Sequence, residues 1–367
     1  MIVLVLIAVL VLAFANGAND NAKGVATLVG GRTLDLKPAL GFAAITTFAG
    51  SVCALLLAGG LIAKFSGKGL VDAEVLSSGA FPACVGCAAA GTVLIATRFG
   101  IPVSTTHALV GGLVGTALSA GALHGTAIVS AFLVPLLVSP LFALVLASAA
   151  YRVLRAARLK LGVTRETCVC IEREFHPVSV AADGSLIIVA TGLRLSGRRT
   201  KEECFERYAG AVVGIDAQRA LNVSHMLSAA AISFARGLND TPKMAALVIG
   251  AGALSAAYGL LGVGVAIAIG GLIAARRVGE TMSYRITEMN DGQAFTANLV
   301  TALCVLVASR FGVPVSTTHV SCGSLFGIGL INRKAHWKVI GGIVLAWALT
   351  LPLAAAIGFA AWRLSAP

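Results

Sequence analysis

The sequence predicts an all-α integral membrane protein with two inverted-topology repeats, broken helices and re-entrant hairpins. Three observations lead to this prediction. The chain is 57% hydrophobic and 12% charged, with a mean hydropathy of +0.91, whereas a soluble domain has about 25% charged residues. Apolar runs long enough to cross a bilayer core of ~30 Å recur along the chain. Two short motifs also occur twice in the same order, which indicates an internal duplication.

The apolar runs predict the membrane-spanning helices, because a helix needs about 20 residues to cross the hydrocarbon core. The first run is not preceded by a basic region and leads directly into a repeated motif, so we interpret it as mature structure and not as a signal peptide. The runs lie at residues 1–15, 38–63, 79–97, 125–150, 254–275, 292–309 and 339–362.

The repeated motifs define the organisation of the chain. One motif reads FANGANDNAK at 14–23 and FARGLNDTPK at 234–243. The other reads TRFGIPVSTTHA at 97–108 and SRFGVPVSTTHV at 309–320. Such repeats in an apolar chain are typical of transporters that have a site between two halves. We therefore expect a transmembrane repeat at 1–150, an insert at 151–219 and a second transmembrane repeat at 220–367.

The basic residues predict the orientation of the repeats. Cytoplasmic loops are enriched in Lys and Arg, and a basic run from Arg152 to Lys160 follows the apolar run at 125–150. The insert should therefore be cytoplasmic, with both termini outside. This arrangement requires two re-entrant hairpins, one at about 79–121 that opens outward and one at about 292–331 that opens inward. The net charge of +12 is explained in this way, without a nucleic-acid partner.

The insert differs in composition from the repeats. Its segments CVCIERE and SLIIVAT flank a turn at Asp183 and Gly184, which predicts a small β-hairpin, and we expect a connecting helix after it. The spacing of its Cys and His residues fits no strong zinc pattern, and reduced cytosolic thiols are the simpler interpretation, so we predict no metal site. These residues are Cys168, Cys170, His176 and Cys204.

The PVSTTH motifs predict an anion-binding site. Proline followed by hydroxyl residues and then by an apolar helix is typical of a helix N-terminus. Such an N-terminus has unpaired N–H groups, hydroxyl donors and a positive dipole end, which suit a small tetrahedral oxyanion. Ordinary capping by Ser or Thr is the alternative. The predicted anion contacts are Ser104, Thr105, Thr106, Ser316, Thr317 and Thr318.

The other motif supplies two acids within apolar sequence. Glycine and the Asn-Asp pair favour a break in each helix, and an Asp at membrane depth must face a partner or a water-filled cavity. Uptake of an anion against a negative-inside potential costs about 2.3 kcal/mol per charge per 100 mV, so a carrier needs co-transported cations. We predict that Asp20 and Asp240 bind a coupling cation or accept a proton from the substrate. Capping of a half-helix is the alternative.

The duplicated GANDNAKG and PVSTTH motifs resemble those of the PiT family of inorganic phosphate transporters. The resemblance covers about 1–150 and 220–367. It implies hairpins that meet near the midplane and symport of phosphate with sodium or protons across the plasma membrane, and it leaves open whether the protein is a homodimer. The residues that it places at the cation and substrate site are Asn19, Asp20, Asn239 and Asp240, with Gln293 as a further carry-over.

The chain departs from the sodium-coupled members of that family in two ways. Their motif usually has Asn three residues after the Asp, where this chain has Lys23 and Lys243. They also tend to have Glu in the second helix, where Thr47 is nearest in this chain. A fixed ammonium could take the place of a sodium ion beside each Asp, so we expect protons and not sodium as the coupling ion. A lysine that snorkels to the interface is the alternative.

Other functions were weighed against phosphate symport. A sulfate permease of the same fold is the main alternative, although two acids favour phosphate, which keeps a proton at neutral pH. An anion channel would not need paired acids. A hydrolytic triad of Ser104, His107 and Asp20 has no catalytic reason to be duplicated in inverted halves. We therefore predict a transporter that is not an enzyme, has no cofactor and has the lipid bilayer as its partner.

Overall fold

A computed structural model describes residues 1–31, 33–161, 164–166, 171–180, 186–195, 207–209, 211–212, 215–286 and 289–365. The chain divides into two compact units, one of Met1–Leu154 with Asn222–Pro367 and the other of Arg155–Leu221. Several residues that the sequence analysis singled out in the insert lie outside the described residues: Cys168, Cys170, Asp183, Gly184 and Cys204.

The first half of the chain is helical, and its first helix breaks where the sequence predicted. The break follows Asp20, because Asn21 and Gly24 are poor helix formers, and a short 3₁₀ helix takes the place of the α-helix. The elements are α1 Ile2–Asp20, the 3₁₀ helix Asn21–Gly24, α2 Ala26–Gly30, α3 Leu36–Leu57, α4 Gly59–Phe65, α5 Ala73–Ser77, α6 Ala80–Arg98, α7 Thr105–Ser119, α8 Gly125–Ile128, a π-helical turn Val129–Leu133 and α9 Val134–Lys160.

The second half is also helical, but the break predicted at Asp240 is wrong. There α10 continues through Asp240 and Pro242 to Gly250. The residues after Pro242 are Lys243, Met244 and two alanines, which are strong helix formers. The helix therefore continues past Met244, where the first repeat has Gly24. The elements are α10 Ala217–Gly250, α11 Ala256–Ala274, α12 Arg276–Tyr284, α13 Asp291–Arg310, α14 Thr317–Asn332 and α15 Trp337–Ser365.

Both PVSTTH segments form the tips of helical hairpins, as the sequence predicted. The chain turns after α6 and after α13 at Gly100 and Gly312, whose φ angles of 68° and 65° are left-handed and are readily adopted only by glycine. After each turn, a serine caps the next helix. Ser104 Oγ accepts from the His107 N–H at 3.1 Å, and Ser316 Oγ accepts from the His319 N–H at 3.2 Å. Helices α7 and α14 thus begin at Thr105 and Thr317.

The chain is a multi-pass membrane protein. Within the described residues, seven helical segments are long and apolar enough to cross a membrane, and each apolar run of the sequence overlaps one of them. The second run is divided at Ala58 between α3 and α4. The segments are Ile2–Gly24, Leu36–Leu57, Ala80–Arg98, Gly125–Lys160, Ala256–Ala274, Asp291–Arg310 and Trp337–Ser365.

Glycines let the long helices approach to backbone contact. A Cβ on Gly17 of α1 would collide with the carbonyl oxygen of Ile267 in α11. The duplicated position, Gly237 of α10, has the same relation to the carbonyl oxygen of Thr47 in α3. Because lipid is as apolar as a side chain, membrane helices associate through close packing of small residues. These crossings hold the two Asn-Asp motifs at the centre of the unit.

The unit of Arg155–Leu221 contains the strands of the chain that the structure describes. They form three two-stranded antiparallel sheets, β2 with β3, β1 with β4 and β5 with β6. The β2–β3 ladder shifts its register after Pro177, since proline has no N–H to donate. The strands are β1 Thr164–Glu166, β2 Ile171–Val180, β3 Leu186–Leu195, β4 Arg207–Ala209, β5 Ala211–Val212 and β6 Ile215–Asp216.

The glycine crossing predicts a large effect from one added methyl group. Gly17→Ala should lower the free energy of unfolding by about 1–3 kcal/mol, because α1 and α11 must separate to admit the side chain. The control is Gly262→Ala in α11, where no atom lies within 4 Å of the added Cβ. The melting temperatures of both variants in mild detergent test the prediction, and an equal melting temperature for the two would contradict it.

Candidate functional site

The asparagine of the first motif fixes the extended segment between α6 and α7. Asn19 Nδ2 donates to Thr97 Oγ1 at 2.9 Å and to the Ile101 carbonyl at 3.0 Å. The Val103 N–H donates to Asn19 Oδ1 at 3.1 Å. One buried amide therefore satisfies the backbone of an extended segment that makes no helical bonds.

The asparagine of the second motif has the corresponding contacts with the other hairpin. Asn239 Nδ2 donates to the Val315 carbonyl at 3.3 Å, and Ser309 Oγ donates to Asn239 Oδ1 at 3.1 Å. The motif that carries the acids is thus bonded to the hairpin tip of its own repeat in both halves of the chain.

The ammonium group of Lys23 lies in a cage of oxygen atoms. It forms an ion pair with Asp20 Oδ1 and donates to Asn19 Oδ1 and the Val103 carbonyl, each at 3.0 Å. Its remaining described partner is Thr318 Oγ1 at 2.6 Å, which belongs to the other repeat. Thr318 Oγ1 in turn donates to the Val103 carbonyl at 2.8 Å. Lys23 therefore joins its own motif to both hairpins.

Lys243 forms the equivalent bridge from the second repeat to the first. Its Nζ donates to the Val315 carbonyl at 2.6 Å and to Thr106 Oγ1 at 2.8 Å, and it pairs with Asp240 Oδ1 at 3.4 Å. Thr106 belongs to the first hairpin and donates to the Val315 carbonyl at 3.3 Å. The duplication thus produces two crossed bridges, in which the lysine of one repeat bonds a threonine of the other.

Both cages have the chemistry of a site for a hard cation. Their atoms are carboxylate, hydroxyl and backbone carbonyl oxygens, with an amide oxygen added around Lys23, and hard cations take oxygen ligands of these kinds. An ammonium can donate three hydrogen bonds, and in both cages such oxygens accept from it. Snorkelling to the interface is excluded for both lysines, because Lys23 is 3% and Lys243 is 1% exposed.

The two acids of the duplicated motif meet at a shared amide. Asn16 Nδ2 lies 3.0 Å from Asp20 Oδ2 and 3.5 Å from Asp240 Oδ2. The same amide lies 3.0 Å from Thr105 Oγ1, and Thr317 Oγ1 donates to Asp240 Oδ2 at 3.2 Å. The first residues of α7 and α14 are therefore placed against the carboxylates. The structure brings together the acids and the helix N-termini that the sequence predicted separately.

The six hydroxyl groups predicted to contact the anion already have partners within the protein. Ser104 and Ser316 act as helix caps, which is the alternative that the sequence left open. The four threonines bond the carboxylates or the lysine bridges. The first N–H groups of an α-helix have no partner inside their helix, and in α7 and α14 the third of them, on His107 and His319, donates to the capping serine. The positive ends of both helix dipoles lie at these N-termini.

Gln293 lies apart from this cluster among the described contacts. It forms a capping box with Asn290 at the start of α13, and its Nε2 donates to the Tyr151 hydroxyl at 3.3 Å. A weaker contact joins it to Asn332 at 3.5 Å. The pattern of Asn followed three residues later by Gln is the sequence signal of such a cap. The sequence therefore indicated a capping role for Gln293 as well as the substrate-site role that the family resemblance implied.

Arg236 is a residue of the cluster that the sequence analysis missed. Its Nη2 donates to Thr47 Oγ1 at 2.8 Å and to Asn21 Oδ1 at 3.0 Å, and its Nη1 lies 3.5 Å from Asn16 Oδ1. The signal was present in the repeats, because FARGLND has arginine where FANGAND has Asn16. An arginine inside an apolar membrane segment is itself a functional indication.

Comparisons with known proteins agree on one family. The chain matches the sequence profile of the phosphate transporter family over residues 16–358. A Pyrococcus horikoshii protein named as a phosphate permease is 27% identical over 97% of this chain and 95% of its own length. A probable low-affinity inorganic phosphate transporter of Rhizobium meliloti is 28% identical over 94% and 90%. A solved structure entitled "The sodium-dependent phosphate transporter" has a TM-score of 0.75 and 24% identity over 99% of this chain and 98% of that one, which shows a common fold.

The crossed bridges predict a measurable coupling between the repeats. Thr318→Val removes an acceptor from the buried ammonium of Lys23 and should lower the free energy of unfolding by about 1–3 kcal/mol. Thr92→Val is the matched control, because among the described contacts the Thr92 hydroxyl bonds only the Ala88 carbonyl of its own helix. In a double-mutant cycle with Lys23→Met, the two losses should not add. Additive losses would contradict the bridge.

Proposed function

The chain belongs to the phosphate transporter family, and on that premise we propose that it imports inorganic phosphate across the plasma membrane as a symporter coupled to protons and not to sodium. Membership of this family makes it a phosphate transporter and not an enzyme. The coupling ion and the direction of transport are the parts that we propose. The observation that supports proton coupling is the pair of lysine ammonium groups in the oxygen cages.

A tethered ammonium excludes a sodium ion from the position that it fills. Two unit charges 4 Å apart repel by about 4 kcal/mol at an effective dielectric constant of about 20. That repulsion lowers the affinity of a second cation in the cage of Lys23 or Lys243 by about a thousandfold, since 1.4 kcal/mol is a factor of ten. The solved relative is named for its sodium dependence, but its similarity to this chain concerns the fold alone.

Protons supply the driving force that the fixed lysines do not. Each unbalanced charge carried against the membrane potential costs about 2.3 kcal/mol per 100 mV. A proton that travels on the phosphate converts the divalent anion to monovalent dihydrogen phosphate. One further proton makes the transfer electroneutral and can travel on the imidazoles of His107 and His319, whose ring centroids lie 4.2 Å apart one turn beyond the helix starts.

The crossed bridges also support the proposal of two inverted repeats. An antiparallel relation between the halves explains why each lysine reaches the hairpin of the other half. We place both termini outside and the insert in the cytoplasm, since Arg152 and Arg155 are exposed at the end of α9 and cytoplasmic flanks are basic. Protease accessibility of a tag after Pro367 on intact cells tests this orientation, and a tag accessible only after lysis contradicts it.

The decisive measurement is uptake of labelled phosphate into proteoliposomes with separately imposed ion gradients. In choline buffer at fixed pH, wild-type uptake should equal that in sodium buffer, and an inward proton gradient should increase it. A strict sodium requirement would contradict proton coupling. Parallel assays with labelled sulfate decide between phosphate and the sulfate alternative, because uptake of sulfate in preference to phosphate would reverse the substrate assignment.

Removing both tethered charges should restore a place for sodium. The double variant Lys23→Asn/Lys243→Asn keeps oxygen ligands at both cages and vacates the position of each ammonium. We expect its phosphate uptake to become sodium-dependent, because the carboxylates of Asp20 and Asp240 then lack their cations. The control is Lys68→Asn at an exposed loop position, for which the ion dependence should not change. Sodium-independent uptake by a folded double variant would show that the lysines do not replace sodium.

A further inference from the structure

The buried charges of the cluster do not balance. Among the described residues, the buried Asp, Lys and Arg side chains are two carboxylates, two ammonium groups and one guanidinium when each has its ordinary charge, and each is 1–3% exposed. With neutral histidines, the cluster has one surplus positive charge. An uncompensated charge is costly in a medium of low dielectric constant. The five residues are Asp20, Lys23, Arg236, Asp240 and Lys243.

The surplus charge belongs to Arg236. Each lysine forms an ion pair with the Asp three residues before it, so both carboxylates are matched. The described bonds of Arg236 go to neutral oxygens of Asn16, Asn21 and Thr47. Its Nε is fully buried and has no hydrogen-bond partner among the described atoms. A guanidinium has five N–H donors in a planar fork, and the described bonds of Arg236 leave the Nε donor of this fork without an acceptor.

Asn16 connects the guanidinium to the site. Its Oδ1 faces Arg236 Nη1, and its Nδ2 contacts Asp20, Asp240 and Thr105. Arg236 therefore lies one amide away from both carboxylates and from the first turn of α7. The Nε–H of Arg236 is a buried donor that the described atoms leave unused. Planar guanidinium groups bind tetrahedral oxyanions through two parallel hydrogen bonds.

We propose that Arg236 provides the counter-charge for the transported anion and thereby selects its valence. One surplus positive charge matches a monovalent oxyanion, which for the proposed function, on which this inference rests, is dihydrogen phosphate. A divalent anion such as sulfate would leave a net negative charge in the same place. The two carboxylates and the two lysines have a net charge of zero, and Arg236 raises the net charge of the cluster to +1, which matches a monovalent anion.

The other described groups near the cluster that can gain a positive charge are imidazoles. The rings of His107 and His319 contact each other at a tilt of 46°, and His319 contacts Trp347 at a tilt of 31° with ring centroids 3.9 Å apart. His225 bonds Thr27 at 3.0 Å. Protonation of any of them would add to the surplus charge, so the valence of the bound anion is measured at a pH where the imidazoles are neutral. Helix α3 contributes only the neutral Thr47 to the described bonds of Arg236.

Equilibrium binding to purified protein tests this assignment without any ion gradient. Wild-type protein should bind phosphate more weakly as the pH rises and the monovalent fraction falls, and sulfate should compete poorly. Arg236→Gln should weaken phosphate binding by about 10- to 100-fold, the range for loss of a hydrogen bond to a charged group. Arg363→Gln, at an exposed arginine of α15, is the matched control and should bind as the wild type does.

Variants that change or restore the net charge of the cluster distinguish a role of Arg236 as counter-charge from a purely structural role. Asp240→Asn raises the surplus to two charges, so sulfate competition should become at least about tenfold stronger. The double variant Arg236→Gln/Asp240→Asn returns the surplus to one and should recover part of the phosphate affinity lost in Arg236→Gln. Arg236→Lys keeps the charge without the fork, so it should keep the preference for monovalent phosphate with weaker binding.

The outcomes decide both claims separately. Wild-type phosphate affinity in folded Arg236→Gln, or sulfate competition that is unchanged in Asp240→Asn, would overturn the role of Arg236 and leave phosphate transport intact. A strict sodium requirement for uptake would contradict the proposed coupling and leave the binding results in force. If Arg236→Gln does not fold, Asp240→Asn and Arg236→Lys still test the charge balance, and an unaltered preference in the first would overturn it.

Discussion

The need to compensate buried charge determines the centre of this protein. A lysine or an aspartate away from water must be paired and hydrogen-bonded, because its desolvation costs several kcal/mol. Lys23 and Lys243 meet this need with an aspartate of their own repeat and with oxygens at the hairpin tips, one of them from the other repeat. Close packing of the helices meets the same need. Glycines at the crossings let the helices approach closely enough for the two Asn-Asp motifs to reach these partners.

The crossed bridges constrain how such a site can open. Each lysine bonds a carbonyl of its own hairpin and a hydroxyl of the other. Separation of the hairpins on one side of the membrane would break the hydroxyl contacts and keep the ion pairs, because each pair joins residues three apart within one repeat. The charge balance would therefore be preserved while the geometry changes.

The sequence predicted the parts of this structure that depend on pattern. Apolar length predicted the spans, and proline before hydroxyl residues predicted the starts of α7 and α14. Helix α10 continues through Asp240 because strong helix formers follow Pro242. The similarity of the two motifs led to the prediction of a break in both, although the residues after them differ. The role of Arg236 depended on charges far apart in sequence, and a count of buried charges requires knowing which side chains are buried. Gln293 was assigned by family resemblance, although its local pattern predicts a cap.

Fixed lysines change the energetics of the transport cycle relative to a carrier that binds its cations from solution. Such a carrier must bind its ions before the site is neutral. Here the surplus charge is present in the empty site, and a monovalent anion neutralises it on binding. The coupling proton proposed for His107 and His319 would restore one positive charge to the loaded cluster. The membrane potential would then act with equal strength and in opposite senses on inward movement of the loaded site and outward movement of the empty one, so the complete cycle would be electroneutral.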